Sequence, residues 1–593
     1  MTRPALRLPR PAGVAGAIAS PLLATAERLT GLKRLDDLYR RARAQVGEGD
    51  FLDTALATLG VQASVDTQQL ARVPAQGPLV IVANHPFGGV EGMALAQALR
   101  RRRPDLRILA NHLLGRIPEL DPLMIHVDPF GGAAAARRNR QPLREALAWL
   151  AAGGALLVFP AGAVSHWHLT QRAVTDPPWQ PAAAWLARRS QATVLPVFIG
   201  GRNSTLFQLA GLVSAPLRTA LLVRELLSSH RRPLRVELGR PISADALGGL
   251  GDAVACTAFL RLKVYALARR QAEPPRLRRR ARRAEAIVAG PAVEQLVAEV
   301  AGLPSESRLL VQGDFAVYLT PATHIPQVLQ EIGRLRELTF RAAGEGTGKA
   351  TDIDRYDPHY LHLWLWDQRH ARVAGAYRLA PIDRVLAAHG PRGLYIASLF
   401  RFRRGVLASF GAALELGRSF VAADYQRDFQ PLLLLWQGIG RYLIANPRYT
   451  RLLGPVSVAR SYCDASRSVM AQYLGRDGAE SPFDGAVRGN FRPGPKGVLP
   501  ASIGERLLRD IDAVASLVSA IEDDGKSLPV LLRHYLKLNG EVLAWNVDRD
   551  FGDALDALLL VDLRRTDPRL LRRYMGPEGA AAYLASHAPP AAA

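Results

Sequence analysis

Cysteine is nearly absent from this 593-residue chain: only Cys256 and Cys463 occur. Two residues cannot make a disulfide framework, and neither has the spacing of a metal site. They read as incidental thiols of a reducing compartment. Long apolar runs are missing as well, since no stretch reaches the roughly 18 consecutive apolar residues a spanning helix needs. The run 11–26 follows Arg3, Arg7 and Arg10, but Pro21 breaks it and an amphipathic pattern follows, so it reads as a peripheral anchor rather than a signal peptide. The run 206–223 is broken by Pro216 and Arg218 and suits an interfacial segment. Negative charge is scarce: 53 Asp and Glu against 76 Lys and Arg leave a net charge of +23. Such a surface seeks something acidic, whether nucleic acid, anionic lipid or an acidic protein. No helix-turn-helix, RNA-recognition or zinc pattern accompanies the charge, which argues against nucleic acid. Gly200-Gly201-Arg202-Asn203-Ser204 lacks the Gly-Lys-Ser/Thr ending of a P-loop, and the His166/His168 pair lacks a third ligand, so no metal is expected. No internal repeat is found.

What is present is an ordinary globular balance, 48% hydrophobic and 22% charged, in a chain long enough for several domains. Residues 25–60 read as helices, with Leu29, Leu32, Leu35 and Leu38 at helical spacing. From Pro78, short apolar strands (79–83, 106–110, 155–159, 194–199) alternate with helices (92–101, 139–152, 182–189). That alternation predicts an α/β layer with a largely parallel sheet. Prolines and arginines at 274–283 mark a break. Beyond it, strands at 315–320, 361–366, 372–379, 414–421, 456–458, 542–547 and 557–563, with helices at 325–340 and 432–445, predict a mixed α+β plan. Residues 480–500 read as a loop. The expected division is a helical, amphipathic segment 1–60, an α/β domain 61–272, a basic linker 273–295, an α+β domain with a C-terminal extension 296–580, and a disordered tail 581–593.

The first chemical motif follows the strand 79–83: Asn84-His85-Pro86-Phe87-Gly88-Gly89-Val90-Glu91. A strand end fixes the backbone while the loop exposes the side chain, a favoured place for an active residue. His85 there can take a proton from an attacking hydroxyl, and Glu91 is the carboxylate placed to hold its imidazolium. Phe159-Pro160-Ala161-Gly162 with Ser165, then Val194-Leu195-Pro196-Val197, complete a series of blocks. In order and separation these blocks resemble the glycerol-phosphate/lysophospholipid acyltransferase family over residues 60–245. The resemblance implies His85 as general base, Glu91 as its partner, and acceptor contacts at Phe159, Pro160 and Gly162. It also implies an acceptor-contacting block at Asp128 to Asn139, with Asp128 and Arg137; a turn followed by a helix start is the other reading there. Two departures stand out. The carboxylate is Glu and lies one position late, and the family's Glu in the Phe-Pro block is Ala161, which suggests an acceptor without a glycerol-phosphate headgroup.

The second constellation lies at 336–418: Arg336, Phe340, Asp352, Asp354, Asp357, Arg378, Glu415 and Arg418. An amino acid carries an amine and a carboxylate, so a site that acylates it needs carboxylates for the first and an arginine for the second. The order Arg-x3-Phe, Asp-x-x-Asp, a hairpin arginine, then Glu-Leu-Gly-Arg resembles the acyl-homoserine-lactone synthase branch of the GNAT fold and its ornithine-acylating relatives. On a regular strand Glu415 and Arg418 face opposite sides, and Gly417 is the expected seat of a bulge.

Together the two halves resemble the fused ornithine lipid synthases. That implies a glycerolipid-acyltransferase-like α/β domain joined to a GNAT-like α+β domain. It further implies N-acylation of ornithine with a 3-hydroxyacyl group from acyl carrier protein, with Glu415 catalytic, followed by O-acylation of the new hydroxyl. No cofactor is expected beyond the acyl-carrier-protein donor. The expected partners are acyl carrier protein and the anionic inner face of the cytoplasmic membrane, where the enzyme would sit peripherally. Glycine, lysine or glutamine as acceptor, a lysophosphatidate acyltransferase at the N-terminus, and a non-enzymatic basic membrane- or nucleic-acid-binding protein remain alternatives.

Overall fold

The run Leu-Val-Ile-Val-Ala at Leu79–Ala83 is buried at all five positions, as expected of a strand covered on both faces. In the computed structural model it is the central strand of a seven-stranded sheet. The described residues are 31–47, 49–111, 117–128, 132–168, 173–213, 215–228, 234–268, 284–474, 482–483, 485–491, 493, 510–522 and 524–587. They fall into two compact units, 31–268 and 284–587.

In the first unit the sheet order is Ala63–Val65, Leu234–Leu238, Thr193–Ile199, Leu79–Ala83, Ala155–Val158, Leu106–Asn111, Met124–Val127. Neighbours are parallel except Thr193–Ile199 with Leu234–Leu238, which are antiparallel. Leu79–Ala83 has the strand that ends at Val158 on one side and the strand that ends at Ile199 on the other. From Leu79–Ala83 the chain runs to Leu106–Asn111 on one side, and from the adjacent Thr193–Ile199 it runs to Leu234–Leu238 on the other, so the carboxyl ends of these two strands mark a topological switch point. The helices Leu32–Gln45 and Phe51–Leu59 are not a separate segment: Ala42, Phe51, Leu52 and Leu56 are buried in the same core as Leu79 and Ile81. The segment 206–223 forms parts of two helices, Thr205–Val213 and Ala215–Ser228. Among the described residues no helix is long and apolar enough to cross a membrane.

The second unit holds an eight-stranded sheet in the order Arg308–Gln312, Phe315–Pro321, Leu361–Asp367, Arg372–Pro381, Ala413–Val421, Arg451–Val458, Ala554–Asp562, Glu541–Asp548. Among these described strands only Ala413–Val421 and Arg451–Val458 pair in parallel, and their register runs from Ala413↔Arg451 to Glu415↔Leu453. The short strand expected at 456–458 starts five residues earlier. Gly454 and Pro455 disguise it, but a Cβ on Gly454 would collide with the Leu416 carbonyl, so this close backbone approach demands glycine. The C-terminal stretch is integral to the sheet, supplying two of its strands. The tail expected from 581 is helical to Ala585, because Tyr583 is buried and donates its hydroxyl to the Tyr449 carbonyl at 2.7 Å. The end of the linker is likewise tied down: Glu285 and Val288 N–H donate to the Gly348 and Ala350 carbonyls. Within the expected loop 480–500, Val487–Gly489 pairs with Phe400–Phe402. Residues 1–30, the arginine run of 274–283, residues 129–131 of the expected acceptor-contacting block, and 588–593 lie outside the described residues.

Candidate functional site

Asn84 continues the sheet one step past its strand, its side chain donating to the Ile199 carbonyl (2.9 Å) and accepting from the Ile199 N–H (2.7 Å). That clamp sets His85 just past the carboxyl end of the strand with 17% of its side chain exposed. Gly88 and Gly89 then take positive φ values of 94° and 145°, and the tight turn folds Glu91 back onto the histidine. The longer side chain and the later position thus still meet His85. Glu91 Oε1 lies 3.0 Å from His85 Nδ1, close enough for an ion pair but off-axis for a hydrogen bond. The same carboxylate accepts the N–H groups of Phe87 (2.9 Å), Gly88 (2.8 Å) and Gly89 (2.8 Å) at the head of the helix Val90–Arg100. Burial pushes the Glu91 carboxyl up, but His85 and the Gly88 and Gly89 N–H groups outweigh it and hold it down at about 2. Burial pushes the His85 imidazole down; the Glu91 charge and contact outweigh that, and the net shift is upward.

Phe159 packs its ring on His85 with centroids 4.6 Å apart, and Gly162, at φ 63°, closes the turn by donating to the Phe159 carbonyl. Pro160 accepts from the Gln180 N–H at 2.8 Å. Asp128 and Arg137 belong to a different local cluster: Asp128 is held by Arg138 and by both ends of the Asn139 amide, and Arg137 is exposed. The motif reading passed over Asp176, a buried carboxylate that accepts from the His85 N–H and the Ser165 hydroxyl. It sits in Thr-Asp-Pro-Pro, which reads as a plain turn.

In the second unit every candidate residue falls in one cluster. Arg336 and Arg378, both fully buried, bracket Asp357: Arg336 Nη1 donates to Oδ1 at 2.8 Å and Arg378 Nη1 lies 3.3 Å from the same oxygen. Arg378 Nη1 also donates to Asp354 Oδ1 at 2.6 Å. Burial pushes the Asp357 carboxyl up, but the two guanidiniums dominate and hold it well below the usual range. Glu415 is held instead by neutral donors. It accepts from the Tyr360 hydroxyl (2.8 Å) and the Ile396 N–H (3.0 Å), and Tyr360 in turn accepts from the Tyr395 N–H (2.8 Å). Burial dominates there and raises the Glu415 carboxyl to about 7.

The strand bulges where Gly417 was expected to host it. Ala376 pairs with Phe420 and Arg378 with Gly417, so Arg418 and Ser419 both oppose Tyr377. The left-handed residue is Arg418 itself, at φ 49°. The extra residue swings Arg418 among Phe340, Tyr395 and Phe551, with ring centroids 5.9, 5.0 and 4.8 Å from its Cζ. Its nearest carboxylate is Asp352, at 3.6 Å. Tyr360, Tyr395 and Phe551 were not anticipated from the sequence. Aromatic residues carry no motif of their own, and only the fold brings Phe551 to Phe340.

Residues 35–272 match the Acyltransferase family model and residues 335–437 the Acetyltransferase (GNAT) domain model. The chain joins an acyltransferase domain to a GNAT domain. A Glycine N(alpha)-acyltransferase of Phocaeicola vulgatus is 35% identical over 171 residues, 27% of this chain and 52% of that protein. This chain thus spans about half the length of that relative. A Lyso-glycine lipid O-acyltransferase of the same organism is 26% identical over 225 residues, 37% of this chain and 77% of that protein. The solved 1-acyl-sn-glycerophosphate acyltransferase PlsC of Thermotoga maritima aligns over 43% of this chain and 95% of its own, at 14% identity and a TM-score of 0.24. The His85–Glu91 pair lies in the acyltransferase domain, and Arg336 to Arg418 lie in the GNAT domain.

Proposed function

We propose that this chain makes a doubly acylated aminolipid. The GNAT domain transfers a 3-hydroxyacyl group from acyl carrier protein to the α-amine of ornithine, and the acyltransferase domain then esterifies that 3-hydroxyl. The observation that carries the reading is the presence, on one chain, of two carboxylates prepared for different work: Glu91, held ionised against a histidine, and Glu415, held near neutrality.

At the first site His85 removes the proton of the lyso-lipid hydroxyl as its oxygen attacks the donor thioester. Glu91 stabilises the imidazolium that forms, which then returns the proton to the leaving thiolate. Ala161 leaves the Phe-Pro turn without an acidic side chain, which agrees with a phosphate-free acceptor. At the second site Glu415, when ionised, takes the proton lost by the attacking amine as the thioester C–S bond breaks, and returns it to the leaving thiolate of the carrier protein. Arg336 and Arg378 are paired with aspartates and fully buried, whereas Arg418 keeps 10% of its side chain exposed and its one ion-pair partner among the described residues, Asp352, stands 3.6 Å away. Arg418 therefore receives the acceptor's carboxylate. Neither step calls for a resident cofactor.

Ornithine brings a second ammonium. Asp548 and Asp556 lie near Arg418, and burial followed by their mutual repulsion pushes the Asp556 carboxyl well up; a cation there relieves both. The names of the relatives favour glycine as a second reading. Attachment to an anionic membrane face is supported by the +23 charge and by Leu206, Leu209 and Leu212, which stand 49%, 57% and 46% exposed along one side of the helix Thr205–Val213.

The test is expression in a bacterium that lacks aminolipids, with lipid extracts read by mass spectrometry. A doubly acylated ornithine species is expected. A glycine species in its place moves the acceptor to the second reading, and no acylated amino acid at all overturns the proposal.

A further inference from the structure

The motif residues account for one side of His85. Glu91 and its three backbone donors hold the imidazole, but they leave open what fixes the histidine's own backbone and the Phe159–Ser165 turn that faces it. We propose that Asp176 is a positioning residue of the His85 site, joining the histidine to that turn through one buried carboxylate. This rests on His85 as the base of the O-acyl transfer.

Asp176 is 1% exposed and uses every polar atom it has. Its Oδ1 accepts the His85 N–H at 3.2 Å and the Ser165 hydroxyl at 2.5 Å; its Oδ2 accepts the Trp179 indole N–H at 2.8 Å. Its own N–H donates to the Tyr265 hydroxyl at 2.8 Å, and its carbonyl accepts Arg261 Nη2 at 2.8 Å. Ser165 closes the loop by donating its N–H to the His85 carbonyl at 2.8 Å. Both backbone polar groups of His85 are thus spoken for, one by Asp176 and one by the residue Asp176 holds. Four positions downstream, the Gln180 N–H donates to the Pro160 carbonyl, so the same segment braces the turn that carries Phe159 against the imidazole. The helix Ala253–Leu267 anchors the segment from behind through Arg261 and Tyr265. Removing the carboxylate leaves three buried donors, at His85, Ser165 and Trp179, without their acceptor.

The charge matters as well as the bonds. After Glu91, Asp176 is the next group that favours the charged imidazole. The charged or titratable groups around this centre are His85, Glu91, His166, Arg261 and Tyr265. A carboxylate buried here favours the imidazolium formed during transfer, which a purely structural brace would not do.

The test uses the full-length protein with Asp176→Asn. Synthetic lyso-lipid is the acceptor, N-acylation is the internal control, and the His85 side chain is titrated by long-range 15N NMR. The expected result is a His85 midpoint below wild type and a kcat for O-acylation down roughly 10- to 100-fold, as for a small misplacement of a reacting group. The KM for lyso-lipid should hold within about threefold. Trp179→Phe, which keeps the charge and both Oδ1 bonds, should leave the midpoint no lower and kcat within about threefold. An unchanged midpoint in Asp176→Asn, or an equal drop in Trp179→Phe, overturns the proposal. Should Asp176→Asn fail to fold, Asp176→Glu keeps the charge but displaces the acceptor oxygens; it should retain the raised midpoint and lose kcat, and full kcat overturns the proposal. The NMR titration needs no substrate. A wild-type protein that does not acylate lyso-lipid therefore sinks the proposed function while the His85 midpoint still tests Asp176.

Discussion

Replacing Glu415 with Gln should abolish N-acylation and at the same time make the GNAT domain more stable at alkaline pH. Glu415 is fully buried, and burial raises its carboxyl to about 7 from an ordinary value near 4.5. A gap of roughly 2.5 units corresponds to about 3 kcal/mol. The sign follows from which state binds the proton more tightly. Below about 4.5 both folded and unfolded chains carry it and there is no penalty. Between 4.5 and 7 the unfolded chain releases it first, and above 7 the folded protein bears the whole cost of an ionised carboxylate in a dry site. The substituted glutamine cannot ionise, so it removes that cost. Its amide must present an N–H where the Tyr360 hydroxyl now donates, a mismatch of about 1 kcal/mol. The net gain is about 2 kcal/mol at pH 8.5, or about 4 °C in the GNAT-domain transition. At pH 5 the gain should be gone. Differential scanning calorimetry at the two pH values checks this, alongside wild-type kcat/KM for N-acylation, which should rise with pH through about 7. A variant that is equally destabilised at both pH values would refute the reasoning, because it would mean the native carboxyl is not raised.

Other expectations concern the acyltransferase domain and the membrane. His85→Ala should block the ester step and leave the amide, so that a mono-acylated amino acid accumulates in lipid extracts; continued production of the doubly acylated lipid would show that His85 is not the base. Synthetic lyso-lipid should be esterified by Glu415→Gln as well as by wild type in a radiolabel assay, and failure would mean the two sites do not work independently. Gly88→Ala should lower O-acylation at least tenfold while N-acylation holds, because a Cβ there, at φ 94°, would meet Val164 and Leu222 at 2.8 and 2.9 Å. Changing Leu206, Leu209 and Leu212 to Ser, or Arg278, Arg279, Arg280, Arg282 and Arg283 to Gln, should weaken sedimentation with anionic vesicles. Only the arginine set should lose its effect as salt passes about 0.15 M, and wild-type binding by both variants at low salt would remove the membrane argument.

The sequence displayed the parts of the fold whose burial is uniform and hid those whose burial is negotiated. Leu79–Ala83 and Ala182–Arg189 lie where they were expected, since an unbroken apolar run or a clean helical stripe admits one reading. Leu234–Leu238 was missed because its exposed Arg235 and half-buried Glu237 interrupt the run. Arg451–Val458 was clipped because Gly454 and Pro455 argue against a strand, although neighbouring backbone is what requires that glycine. At the sites, the charged residues could be read because charge has few uses in a core. Glu91 could be matched to His85 only by allowing for the two glycines between them. Tyr360 could not be seen: its importance is that its hydroxyl sits between Glu415 and the Tyr395 backbone, a relation among three strand and loop segments that no spacing encodes. Asp176 was hidden for the same reason.

Arg418 sits in the left-handed region, where an L side chain is disfavoured by roughly 1 kcal/mol or more and glycine is not. The residue before it is already a glycine, so a chain shaped only for stability would shift the bulge by one position and relax. Keeping the arginine in the strained place makes the domain respond unequally to change at that one position. Glycine there should relieve the backbone strain and silence the site, while lysine should keep the strain and the charge but lose the planar fork. Selection of variants for greater thermal stability would therefore tend to erase this side chain first.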